Sequence, residues 1–166
     1  MNISELSLKY QIRKLDDKDI YLIYTLSIGN PKFYKYCPPY VTKESIHEDM
    51  NMLPPNKSKE DKFYIGFFDN HILVAVMDLI INFPDNKTAF IGLFMMEQEY
   101  QGKGIGSNII EECATYLKAL GFKYIRLAYA NGNSQSEAFW LKNSFYKTGD
   151  EFEKEGYTAV LMQREL

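Results

Sequence analysis

The chain predicts an α/β fold of the α+β type, a mixed, mostly antiparallel central sheet of about seven strands with helices on both faces. Three observations carry this expectation. Lys62 to Phe68, Ile72 to Phe83 and Thr88 to Met96 are nearly continuously apolar and separated by short turn segments, as in strands buried on both sides. The last of them runs into Gly102-Lys103-Gly104-Ile105-Gly106, after which the apolar residues recur with helical period to about Leu120. Lys123 to Ala130 then resumes as a strand, and a right-handed crossover places it parallel to the strand before the turn. A length of 166 residues fits one domain, 1–166 with its core from about residue 8, which can bury roughly two thirds of its unfolded surface.

Taken in order, Leu8 to Arg13 can form the first strand. Asp16 or Asp17 offers an N-cap for a helix with Ile20, Ile23, Tyr24 and Leu26 on one face, and Gly29 stops it. Asn30 to Tyr40 is aromatic and holds Pro38-Pro39, whose missing amides argue against a regular helix, so an ordered loop is expected. Thr42 can cap a short helix through Met52 that ends before Pro54-Pro55. Asn56 to Asp61 reads as a polar surface connection. Lys62 to Phe68 and Ile72 to Phe83 form a hairpin across Asp69-Asn70-His71, and Pro84 to Lys87 turns the chain into Thr88 to Met96. The central helix turns Ile105, Ile109, Ile110, Cys113, Ala114 and Leu117 inward, with Gly121 as its stop. Asn133 to Asn143 reads as a helix with Ala138, Phe139 and Leu141 facing in. Strands near Phe145 to Phe152 and Tyr157 to Arg164, joined across Lys154-Glu155-Gly156, complete the sheet.

The composition narrows the partners. Nineteen basic and twenty-two acidic residues give a net charge of −3 with no block of either sign, so no nucleic acid is expected as a partner. No apolar run approaches the ~20 residues that cross a bilayer, and the amino terminus lacks the pattern of a signal peptide. A cytoplasmic location with no membrane partner is therefore expected. Cys37 and Cys113 lie far apart, and Cys113 falls on the apolar face of the central helix, which suits a buried thiol. His47 and His71 have no ligand-spaced neighbours, so no metal is expected.

The glycine turn is the chemical centre of the chain. Its glycines allow dihedral angles that side chains forbid, and the first amides of the following helix have no partner within it. Together with the helix dipole they make an anion site suited to phosphate. The spacing fails the dinucleotide fingerprint at its third glycine, and no Gly-Lys-Ser/Thr closes a P-loop. Gln101-x-x-Gly104-x-Gly106 instead fits Q/R-x-x-G-x-G/A, and with it the sequence resembles the GNAT superfamily of N-acetyltransferases.

A second stretch extends the resemblance. Asn133, Phe139, Lys142 and Phe145 fall in register with the family's N-x-x-A then F-Y-x-K-x-G-F pattern, and the likeness covers the chain from about Leu8 to its end. Ser136 and Ser144 replace the motif's alanine and glycine. Trp140 stands where many relatives carry the tyrosine that returns a proton to the departing thiolate, and an indole N–H cannot serve as that acid.

The resemblance implies acetyl-CoA as cofactor, its pyrophosphate and pantetheine held by Phe94, Met95, Met96, Gln101, Gly102, Lys103, Gly104, Ile105, Gly106, Ser107 and Asn133. At the strand end of Phe94, Met95 and Met96 the backbone would carry this role. It implies transfer of an acetyl group to a primary amine by direct attack through a tetrahedral intermediate. An alkyl amine, with a pKa of about 10.4, must first lose a proton. With position 140 refused as the acid, Tyr129 and Tyr146 are the nearest candidates by position. Asp78 interrupts an apolar strand, where a carboxylate is costly unless something pairs with it. It either faces the cleft as the amine's base or pairs with a nearby Lys or Arg in the scaffold. Glu44, Glu48 and Asp49 read as a solvated helix face. The acceptor is expected to be a small-molecule amine, with polyamine, aminoglycoside, amino acid and protein N-terminus all open, and a homodimer stays open too. A CoA-binding sensor or regulatory module without turnover is the rival reading.

Overall fold

In the computed structural model, which describes residues 1–166, one sheet holds β1 (Gln11–Lys14), β2 (Lys62–Asp69), β3 (Ile72–Ile81), β4 (Thr88–Met96), β5 (Tyr124–Ala130), β6 (Tyr146–Lys154) and β7 (Tyr157–Glu165). Their spatial order is β1-β2-β3-β4-β5-β7-β6. Only β4 and β5 pair in parallel, as the crossover through α4 (Ile105–Ala119) requires. The remaining helices are α1 (Ile20–Ile28), α2 (Pro31–Tyr36), α3 (Lys43–Asn51) and α5 (Ser134–Lys142). None of the helices is long and apolar enough to cross a membrane.

Alternate residues of the central strands feed two cores, because successive side chains of a strand point to opposite faces. Phe63, Ile65 and Phe67 of β2 and Met77 and Leu79 of β3 join Ile109, Ile110, Cys113 and Leu117 of α4. Tyr64 and Phe68 of β2 and Leu73 and Val76 of β3 instead meet Ile23 and Leu26 of α1 and Ile46 of α3. Helices therefore cover both faces, as the unbroken apolar strands predicted. The Thr42 cap of α3 is also present: its hydroxyl accepts from the Ser45 amide, and the Ser45 hydroxyl accepts from the Thr42 amide.

Three expectations need correction. Pro31–Tyr36 is a short helix, not a loop, because Pro31 occupies its first turn, where an amide is not needed, and the helix ends before Pro38. The first strand begins at Gln11, since Leu8 is 91% exposed and Ser7 draws the Lys9 and Tyr10 amides onto its hydroxyl. On α5 the buried side chain is Trp140, with Asn143 just past the helix end, so Ala138 and Leu141 face solvent.

Candidate active site

The sheet opens at its centre. Pairing of β4 with β5 runs from Thr88 opposite Tyr124 to Ile91 opposite Leu127 and then ceases. Just past that last rung, Gly92 and Ala128 are exposed, although both lie in the interior of a seven-stranded sheet. On its other side β4 carries a bulge. Asp78 faces Leu93 while Leu79 faces Ile91, which leaves Gly92 as the extra residue. The Asp78 side chain lies across that bulge, so a Cβ at position 92 would stand 2.7 Å from Asp78 Oδ2. Glycine is what allows the carboxylate to reach the gap.

A cleft of about 480 Å³ runs from the glycine turn to the end of β4 at Phe94, Met95 and Met96, beyond the point where β4 has parted from β5. Its walls include Phe94, Met95, Met96, Gln101, Gly102, Gly104, Gly106, Ser107 and Asn133, which the sequence singled out. Lys103 and Ile105 do not line it. Gly102 and Gly104 have φ of +72° and +78°, and a Cβ on either would meet nothing within 4 Å, so both backbones border open space. No side chain caps α4, and the amides of residues 102 to 107 donate to no acceptor in the chain. A row of free donors at the positive end of a helix of this length suits a phosphate group. Gly106 serves a different end, since a Cβ there would meet Met96 Sδ at 2.7 Å and the Phe139 ring at 3.2 Å.

Side chains fix the rest of the cleft. Asn133 is buried and caps α5 through the Ser136 amide, which leaves its own amide group for another partner. Trp140 lines the cleft and is held by ring contacts with Phe139 and Phe145 at 4.9 and 5.1 Å between centroids. Asn30, Lys32 and Gln135, which the sequence did not single out, also form the walls, together with Phe33 and the motif residue Lys142.

Asp78 is 8% exposed and paired. Lys62 Nζ donates to its Oδ2 at 2.7 Å, while Oδ1 is buried without a partner. Burial raises the Asp78 carboxyl, and the Lys62 ammonium works against that rise. The scaffold reading of Asp78 thus has its partner, and one oxygen stays unused. Asp78, Tyr129 and Tyr146 are all absent from the cleft walls. Tyr129 is buried in the core with its hydroxyl unpartnered, burial raises the phenol, and Lys147 Nζ stands 5.9 Å from its ring centroid. Tyr146 is exposed, and its hydroxyl accepts from Gln163 Nε2 at 2.8 Å.

A family model described as acetyltransferase (GNAT) family matches residues 26–145. No curated protein matches the chain in sequence. Among solved structures, an acetyltransferase from Thermus thermophilus aligns with a TM-score of 0.76 at 20% identity, over 96% of this chain and 98% of that one. PaiA N-acetyltransferase from Thermoplasma acidophilum, in complex with coenzyme A, gives 0.68 at 21% identity over 96% and 100% of the two chains. An acetyl transferase from Salmonella typhimurium that modifies the N-terminal serine of a 50S ribosomal subunit protein gives 0.74 at 19% identity, over 97% of each. At these identities the structural likeness is one of fold.

Proposed function

The chain belongs to the GNAT acetyltransferase family, and on that premise we propose that it transfers the acetyl group of acetyl-CoA to the primary amine of a small molecule. The observation that carries this reading is one cleft that joins the free helix-start amides to the end of β4, Phe94 to Met96, where β4 no longer pairs with β5. Bound acetyl-CoA would supply a thioester, whose carbonyl the amine nitrogen would attack directly, forming C–N in a tetrahedral intermediate that collapses by breaking C–S to release the thiolate.

The chain's own groups would divide the work. Amides of residues 102 to 107 would meet the pyrophosphate, with Lys32 and Lys142 adding positive charge on the walls. Asn133 and the backbone of Phe94 to Met96 would hold the pantetheine arm. Asp78, whose Oδ2 lies beside Gly92 and whose Oδ1 has no partner, would take the proton that the amine gives up, directly or through water. Trp140 would close the wall and take no part in proton transfer. With Tyr129 and Tyr146 outside the cleft, the thiolate would take its proton from solvent.

A CoA sensor needs no proton donor for a leaving thiolate, and Trp140 is the observation that favours this second reading. Amine-dependent release of the CoA thiol separates the two.

A further inference from the structure

On the sheet face opposite α4, a second group of polar side chains converges beside the gap at Gly92. Asp78 and Tyr64 are direct partners on β3 and β2, and Lys62 precedes Tyr64 by two residues on the same face. Lys62 Nζ lies 5.8 Å from the Tyr64 ring centroid. Above them, Asp49 follows the buried Ile46 by three residues on α3 and so turns toward the sheet, yet it keeps open contact with solvent. Tyr34 lies against Tyr40, its ring tilted by 39°, at 5.2 Å between ring centroids. Gly156 packs so tightly on Pro38 that a Cβ there would come within 2.8 Å of it, which brings the start of β7 and Tyr157 to the same rim. The charge of Asp49 is felt at Tyr34, Tyr64 and Tyr157 alike.

The charges here do not balance. Lys62 is bonded to Asp78, and although its charge also reaches Asp49, neither Asp49 nor the neighbouring Glu48 has a cation among its hydrogen-bond and ion-pair contacts. Asp78 in turn is buried, with Oδ2 beside Gly92 and Oδ1 enclosed without a partner. The amine that reacts must be neutral when it attacks, so it cannot also be the lasting counter-ion of an exposed carboxylate at the rim. Aromatic rings beside carboxylates favour a cation.

Resting on the acetyltransferase reading, we propose that Asp49 is a specificity-determining residue that binds a second cationic group of the acceptor while the reacting nitrogen lies beside Asp78 and Gly92. The acceptor is then a small amine with two positive centres, a diamine-type cation. An amine that carries a carboxylate in place of the second ammonium would meet Asp49 and Glu48 with like charge.

The test measures acceptor-dependent thiol release from acetyl-CoA with butylamine, diaminobutane, aminobutyrate and a short peptide with a free amino terminus. Diaminobutane is expected to exceed butylamine in kcat/KM by roughly tenfold or more, as a charge-assisted contact provides. Asp49→Asn should bring that ratio close to unity through KM, Asp49→Glu should keep most of it, and a CoA-induced melting shift in each variant shows that the donor cleft is intact. Equal or better use of butylamine, aminobutyrate or the peptide, or a ratio that Asp49→Asn leaves unchanged, overturns the diamine assignment alone. Absence of thiol release with every acceptor overturns the acetyltransferase reading along with it.

Discussion

Gln101 Nε2 donates to Asn30 Oδ1 at 2.7 Å, and both side-chain amides also donate to the Met96 carbonyl, each at 3.0 Å. One carbonyl at the end of β4 is thereby tied to the glycine turn and to the junction of α1 and α2. Gln101 reaches its partners within the protein, so its part in the cleft is to set the position of strand and turn.

Gln101→Ala removes two hydrogen bonds and frees the Asn30 side chain to rotate. Each such bond is worth about 1 kcal/mol net. CoA affinity, measured by calorimetry, is expected to fall roughly tenfold while the fold persists. An unchanged affinity would show that the tie does not organise the cleft.

Glycines 104 and 106 should fail in different ways. Gly104→Val puts a side chain into open space bordered by the free amides, at a φ of +78° that costs a β-branched residue roughly 1–2 kcal/mol. CoA should no longer raise the melting temperature, although the protein still folds. Gly106→Ala drives a methyl against Met96 and Phe139, so its first effect is lost stability, of about 1–3 kcal/mol. ATP should stabilise the wild-type protein weakly or not at all.

Asp78 and Lys62 can be separated from the chemistry by a double substitution. Asp78→Asn leaves the Lys62 ammonium buried without its counter-charge, which costs about 3–5 kcal/mol. Lys62→Met with Asp78→Asn removes both charges and should recover most of that loss in urea unfolding. Turnover should stay low in the double variant. Recovery of turnover together with stability would confine Asp78 to the scaffold.

Acid should loosen the entry to α1. Arg13 donates to both oxygens of Asp19, at 2.7 Å each, and this bond holds the Asp19 carboxyl below the usual range. A carboxyl lowered on folding contributes stability above its unfolded pKa, about 3.9, and loses it as pH falls through the lower folded value. Because Arg13 is half exposed, the contribution is about 1 kcal/mol. The difference in melting temperature between wild type and Asp19→Asn should be present at neutral pH and vanish in strong acid. A difference that grows toward low pH would reverse this assignment.

The parts of the site built from backbone were the legible ones. Gly102, Gly104 and the start of α4 announce themselves because a free amide needs only a glycine turn followed by a helical period. Asp78 was legible as a charge in an apolar strand, although its partner Lys62 was not, since a lysine at a strand start looks like an ordinary solvated end. Asn30 could not be found, because it meets Gln101 across 71 positions of chain and no local pattern encodes that contact. Glu44, Glu48 and Asp49 were expected on a solvated face and all three are exposed, with the spacing from Ile46 turning Asp49 to the sheet side of that face. Tyr129 and Tyr146 were chosen by nearness in sequence, which says nothing about which side of a strand looks into a cleft.

The most direct measurement is the release of CoA thiol from acetyl-CoA, followed with and without added amines and matched to the mass of the acetylated product. We expect release that depends on the acceptor, one acetylated amine per thiol, and its loss in Gly104→Val. Tight binding of CoA with no acceptor-dependent release from any amine would contradict acetyl transfer and leave a CoA-binding module in its place.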